Sequence, residues 1–148
     1  MEMDTTERRG ERGFSLIELM VVVMVIAILT AIAVPVYLRQ RERSWVSQVR
    51  TALKDASIAI ESYGTDTGGL YSALDGADSA LDNAPYQMLS SNGFKKADPV
   101  EITVAAAGGG TVYCVTATHS LLPATDDWQT AVFNSSDGSP APSDLDAC

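Results

Sequence analysis

From Leu19 to Leu38 the chain runs about twenty positions without a charged residue, and apolar side chains face every direction of a helical wheel. At 1.5 Å per residue a helix of that length crosses a hydrocarbon core of roughly 30 Å. One carboxylate, Glu18, stands inside its edge, behind Leu16 and Ile17. A lone Glu in hydrocarbon costs about 2.5–3.5 kcal/mol on insertion scales, so it is expected either to find a partner or to snorkel to the interface.

From Arg39 to Tyr63 the pattern becomes amphipathic. Trp45, Val49, Ala52, Ala56, Ile60 and Tyr63 recur every three or four residues as one stripe. Arg41, Arg43, Gln48, Arg50, Lys54, Asp55 and Glu61 are spread over the remaining surface. Gly64 suggests a stop. Together with the span this predicts one helix of roughly fifty residues, about 75 Å long.

Thr65 to Asp98 reads as a connector punctuated by Gly68-Gly69, Gly76, Asn83, Pro85 and Gly93. Three strands are predicted after it: Val100 to Ala106, Thr111 to Thr118 across a Gly108-Gly109-Gly110 turn, and Trp128 to Phe133. A tail holding Pro140 and Pro142 then runs to Cys148. A small antiparallel sheet laid on the amphipathic half of the helix buries both apolar faces, so the expected class is α+β.

Charge narrows the function. From Asp55 onward thirteen acidic residues face only Lys95 and Lys96. Such a head repels phosphate backbones, and no nucleic acid is expected on it. The two cysteines, Cys114 and Cys148, do not form a CxxC, and with a single histidine they make no four-ligand zinc site. One reading is a disulfide closing the C-terminal loop, which stabilises by roughly 3–4 kcal/mol in the chain-entropy model. The other is two unrelated buried thiols. The disulfide reading puts the head outside the cytosol.

Residues 1–13 are polar and carry Arg8, Arg9 and Arg12. A secretory signal is cut after a short apolar region. Here the apolar run is too long, and the candidate cut lies on its polar side, before Phe14. Arg39, Arg41 and Arg43 follow the span, so counting cations leaves orientation undecided. The disulfide reading decides it, with the short tail in the cytoplasm and the head outside.

The run Gly13-Phe14-Ser15-Leu16-Ile17-Glu18, abutting an unbroken apolar helix, resembles the processing site of type IV pilins and the related pseudopilins. The resemblance is strong over roughly residues 8–63 and loose beyond. It implies a leader, 1–13, that a prepilin peptidase removes between Gly13 and Phe14, followed by N-methylation of Phe14. Residues 14–38 would then be a transmembrane polymerisation helix and 39–63 its amphipathic continuation. Residues 64–148 would form the head of a ladle-shaped subunit. Glu18 would neutralise the Phe14 amine of a neighbouring subunit and set axial register, since two buried charges tolerate few offsets. Pro35 would kink the helix, either as a bend accommodated in lipid or as a point of local unwinding on assembly.

The expected partners are further copies, other pilin subunits, the peptidase, the inner-membrane pilus assembly machinery and the membrane itself. The expected locations are the cytoplasmic membrane as a single-pass protein before assembly, and an extracellular filament or the cell envelope after it. No enzyme and no cofactor are expected. His119 has no catalytic signature around it, and Gly108-Gly109-Gly110 lacks the lysine and the strand-to-helix setting of a phosphate loop. Asp126, Asp127 and Asp137, with Asp144 and Asp146, are weak oxygen-ligand candidates for Ca²⁺ without EF-hand spacing, and solvated carboxylates are the alternative. The reading is therefore a structural type IV pilus subunit. Its alternatives are a pseudopilin of a type II secretion or competence-type system, and a membrane-anchored binding domain that never polymerises.

Overall fold

The computed structural model describes residues 13–138 and 140–142. The chain divides into two compact units between Arg39 and Gln40. The first is the apolar part of helix α1 (Leu16–Thr67). The second holds the rest of α1, helix α2 (Ala84–Ser91), and strands β1 (Val100–Ala107), β2 (Val112–His119), β3 (Thr130–Asn134) and β4 (Pro140–Pro142). The strands form an antiparallel meander in the order β1-β2-β3-β4. The class is α+β, a long helix packed on a small antiparallel sheet.

Alternation decides which face of the sheet meets the helix. Val100, Ile102 and Val104 of β1 point inward, as do Tyr113, Val115 and Ala117 of β2 and Ala131 and Phe133 of β3. The register pairs Val104 with Val115, and Val115 with Phe133, so these side chains lie in rows across the sheet. Opposite them α1 buries Val49, Ala52, Leu53, Ala56, Ala59 and Ile60. Leu53 and Ala59 widen the predicted stripe, and Trp45 and Tyr63 close its margins half-buried. Fully burying a Leu, Ile or Val side chain contributes about 1.5–3 kcal/mol, so this seam is the main hydrophobic term of the head.

Several boundaries differ from the sequence reading. Helix α1 passes through Gly64 and ends at Thr67. Gly68 takes φ +69°, and the Gly69 N–H returns to the Gly64 carbonyl at 2.8 Å, a Schellman-type stop. Gly64 instead makes room, since a Cβ there would lie 2.6 Å from Cε1 of Tyr71. The connector holds a helix as well. Asn83 Oδ1 accepts the Tyr86 N–H at 3.1 Å, and a proline sits in the first turn of α2, so residues that read as loop punctuation start a helix. The third strand begins at Thr130, leaving Trp128 outside it, and four strands form where about three are expected. The fourth, Pro140–Pro142, lies in the stretch that reads as tail.

The outer edge of β1 is closed by residues 75–79. Ile102 N–H donates to Ser79 Oγ, Val104 N–H to the Ala77 carbonyl, and Ala106 N–H to Asp75 Oδ1, at 2.8–2.9 Å. The Ser79 and Gly76 N–H groups donate back to the Ile102 and Val104 carbonyls.

Polar side chains of α1 fasten the head at three points. Glu61 accepts from Tyr113 Oη at 2.9 Å and from Tyr71 Oη at 3.1 Å. Burial, with this carboxylate beside them, pushes both phenols above their ordinary value. Gln48 Oε1 lies 3.4 Å from His119 Nε2, while His119 Nδ1 accepts the Leu121 N–H at 3.2 Å. The guanidinium of Arg50 sits 4.0 Å over the Trp128 ring. Gln48, Arg50 and Glu61 belong to the face that the sequence reading leaves to solvent.

In the detergent-solubilised chain, Glu61→Ala strips the 1%-exposed Tyr113 hydroxyl of a charged acceptor. Unfolding stability should fall by about 1.5–3 kcal/mol in denaturant titration, with Glu61→Gln losing less. His119 is fully buried, and desolvation holds its imidazole below the ordinary 6.5. The unfolded chain therefore takes up this proton first, and stability falls as pH drops below about 6.5 toward the lowered folded value. The melting temperature should decline between about pH 7 and 5.5, with a shallower slope in His119→Gln.

Candidate functional site

The first unit presents the chain's chemistry on a bare helix. Every large apolar side chain from Phe14 to Leu38 is about half or more exposed, Phe14 reaching 91%. A helix apolar all round and unburied in its own fold requires a medium or a partner other than water. It is the one helix among the described residues long and apolar enough to cross a membrane. The threonine of this run is satisfied internally, with Thr30 Oγ1 donating to the Ile26 carbonyl at 2.9 Å. Pro35 lies inside α1, which runs through it without a break in helix.

At the start of α1, Ser15 precedes the first helical residue, and its N–H donates to Glu18 Oε2 at 2.9 Å. This is the backward arm of a capping box, in which a carboxylate three residues in satisfies the backbone at the helix entrance. The acid also lies at the positive end of the helix dipole. Glu18 Oε1 accepts no hydrogen bond among the described residues. An open hollow of about 440 Å³ is lined by Phe14, Ile17, Glu18, Val21 and Val22, so the carboxylate and the Phe14 ring border one apolar surface. Gly13 is exposed, and a Cβ there would meet nothing within 4 Å among the described residues. The sequence reading misses this cap, whose signal is the S-x-x-E spacing from Ser15 to Glu18.

The other candidates lie in the second unit. Cys114, buried on β2, is disulfide-bonded, and Cys148 lies outside the described residues. Asp126 Oδ1 accepts the Trp128 N–H at 2.8 Å in a tight turn, while Asp127 and Asp137 are exposed. Asp144 and Asp146 lie outside the described residues, as do Arg8, Arg9 and Arg12. Among the described residues no three His, Cys, Asp or Glu side chains gather as a metal site. His119 closes β2 with its ring 5.6 Å from Trp45, packed as a core residue.

The family comparison falls on the same segment. The model for the prokaryotic N-terminal methylation motif matches residues 8–34. The type IV major pilin protein PilA of Myxococcus xanthus is 48% identical over 52 residues, which make up 35% of this chain and 24% of that protein. The type IV major fimbrial protein FimA of Dichelobacter nodosus is 49% identical over 51 residues, 34% of this chain and 33% of that protein. The match thus spans only a quarter to a third of either pilin. The type II secretion system core protein G of Pseudomonas aeruginosa is 28% identical over 99 residues, 64% of this chain and 70% of that protein. No solved structure matches the chain. The chain thus carries the prokaryotic N-terminal methylation motif at residues 8–34 on a bare apolar helix, and it is similar in part to type IV pilins and to a type II secretion core protein.

Proposed function

We propose that this chain is the precursor of a type IV pilus subunit, cut between Gly13 and Phe14, methylated on the new Phe14 amine, and polymerised through α1. The observation that carries the reading is the arrangement at the start of α1: an exposed Gly13 before Phe14, and a carboxylate with one oxygen uncommitted among the described residues on an exposed apolar helix. Cleavage creates a cation four residues from Glu18. Glu18 Oε2 stays with the Ser15 N–H, and Oε1 takes the protonated amine of a neighbouring copy. Away from water an unpaired charge is costly, so the offset that brings the two together is favoured over those that leave them apart. Pro35 removes one helical hydrogen bond and supplies a point where α1 bends or unwinds as copies pack. The bond on Cys114 is assigned to Cys148, the other cysteine of the chain, closing the C-terminal loop of a head that resides outside the cytosol.

A second reading, a pseudopilin of a type II secretion system, rests on the longer match. The likeness to core protein G covers 99 residues, more than the apolar helix holds, whereas the pilin matches cover 51–52. Both readings share the same N-terminal chemistry and differ in what the filament does.

Glu18→Ala should leave membrane insertion intact and cut filament yield by about tenfold or more, measured by shearing cells and quantifying the pelleted subunit. Normal yield would remove the register mechanism. Mass spectrometry of those filaments should find a mature N-terminus at methylated Phe14. A subunit still carrying residues 1–13 would sink the precursor reading.

A further inference from the structure

Cations are distributed unevenly along the chain. Between Leu19 and Lys54 stand Arg39, Arg41, Arg43, Arg50 and Lys54 against the single acid Glu42, while the head beyond is strongly acidic. Three of the five fall within five residues of the end of the span. At helical rise, Arg39 to Arg43 occupy a band beginning about 1.5 Å and ending about 7.5 Å past Leu38. The headgroup layer on each side of a bilayer is about 5–8 Å deep. The band and the layer have the same thickness.

The side chains' directions discriminate between partners. Arg41 and Arg43 are both exposed, and two residues apart on α1 they point about 200° away from each other. A protein partner docking on one side of the helix would engage Arg39 and Arg43, four residues apart, and leave Arg41 on the other side unused. Cations on opposite sides at one level suit a layer that surrounds the helix. Trp45 follows, with the Arg41 guanidinium 4.4 Å over its ring, an aromatic and cationic pairing suited to a membrane–water boundary. In the orientation proposed above, these arginines lie on the translocated side, where the rule for cations near spans predicts few. They therefore oppose insertion topology.

We propose that Arg41 and Arg43, with Arg39 before them, form a collar that binds anionic phospholipid headgroups where α1 leaves the membrane, and so holds the unassembled subunit among acidic lipids. The proposal rests on the reading of residues 14–38 as a membrane span. The guanidinium is suited to it, since it pairs with phosphate through two parallel N–H donors and stays charged at any relevant pH.

The test uses the full chain reconstituted in vesicles, with Trp128→Phe leaving Trp45 the only tryptophan and an aromatic face for Arg50. Trp45 fluorescence is quenched with headgroup-spin-labelled phosphatidylglycerol, or with equally labelled phosphatidylcholine, at equal mole fraction. The ratio of the two association constants is the readout, so that changes at Trp45 itself cancel. The chain should prefer phosphatidylglycerol by about fivefold per arginine engaged, falling toward unity in about 1 M salt. Arg41→Gln/Arg43→Gln should abolish most of that preference while the protein stays in the vesicle pellet after an alkaline wash. An unchanged ratio in that variant, or no preference in the parent, overturns the collar. So does a variant that keeps the lipid preference but loses self-association, which would assign the arginines to the acidic head of a second copy. A parent that fails to stay in the washed pellet overturns the span reading and the collar with it.

Discussion

Glu61 is the residue through which the head is tied to its helix. Apolar burial along α1 supplies most of the stabilising free energy, but burial is non-directional and leaves the helix free to slide or roll on the sheet. A carboxylate held by phenols from two different segments is not free in that way. Tyr113 comes from β2 and Tyr71 from the connector, and their rings meet edge to face with centroids 4.8 Å apart. The Tyr71 ring in turn lies over Gly64, one turn further along the helix, where any side chain would displace it. Helix rotation, strand position and the path of the connector are thus fixed by one charged hydrogen-bonding node and the missing Cβ beneath it.

The two halves of α1 obey different solvents. Up to Leu38 the helix is apolar in every direction and exposed among the described residues; from Val49 onward one face alone is apolar and that face is sealed by the sheet. A sealed stripe is complete within one copy, whereas an all-round surface is complete only in lipid or among other helices. The stability of the head and the drive to associate therefore reside in separate stretches of one element.

Much of this is legible in the chain because it follows from periodicity. The uncharged run, the stripe at Val49, Ala52, Ala56 and Ile60, and the β-branched alternation of Thr111 to Thr118 each announce an element by repetition. Residues that act through a single contact leave no such trace. Glu61 and Gln48 look like solvent-facing residues of an amphipathic helix until their partners, 52 and 71 residues away, are brought to them. Gly64 reads as a helix stop because a glycine that breaks a helix and one that makes room are the same letter. Asn83 and Pro85 mislead in the opposite sense, since residues that interrupt structure also begin it. At the N-terminus the family resemblance draws attention to the partner Glu18 would find in another molecule, and away from the Ser15 N–H beside it.

The borders of the sheet have a consequence for crowding. On one side the free donors and acceptors of β1 are taken up by residues 75–79; on the other, β4 is three residues long and two of them are prolines, which have no N–H to offer. Unpaired strand edges are templates on which further chains add, and covering or blunting them is how β proteins avoid amyloid-like stacking. On the proposed reading of a membrane-anchored subunit that lines up with its copies, the heads would stand at very high local concentration. With both borders covered or blunted among the described residues, the sheet would offer little competing mode of growth, and the proposed polymerisation would be left to the helix.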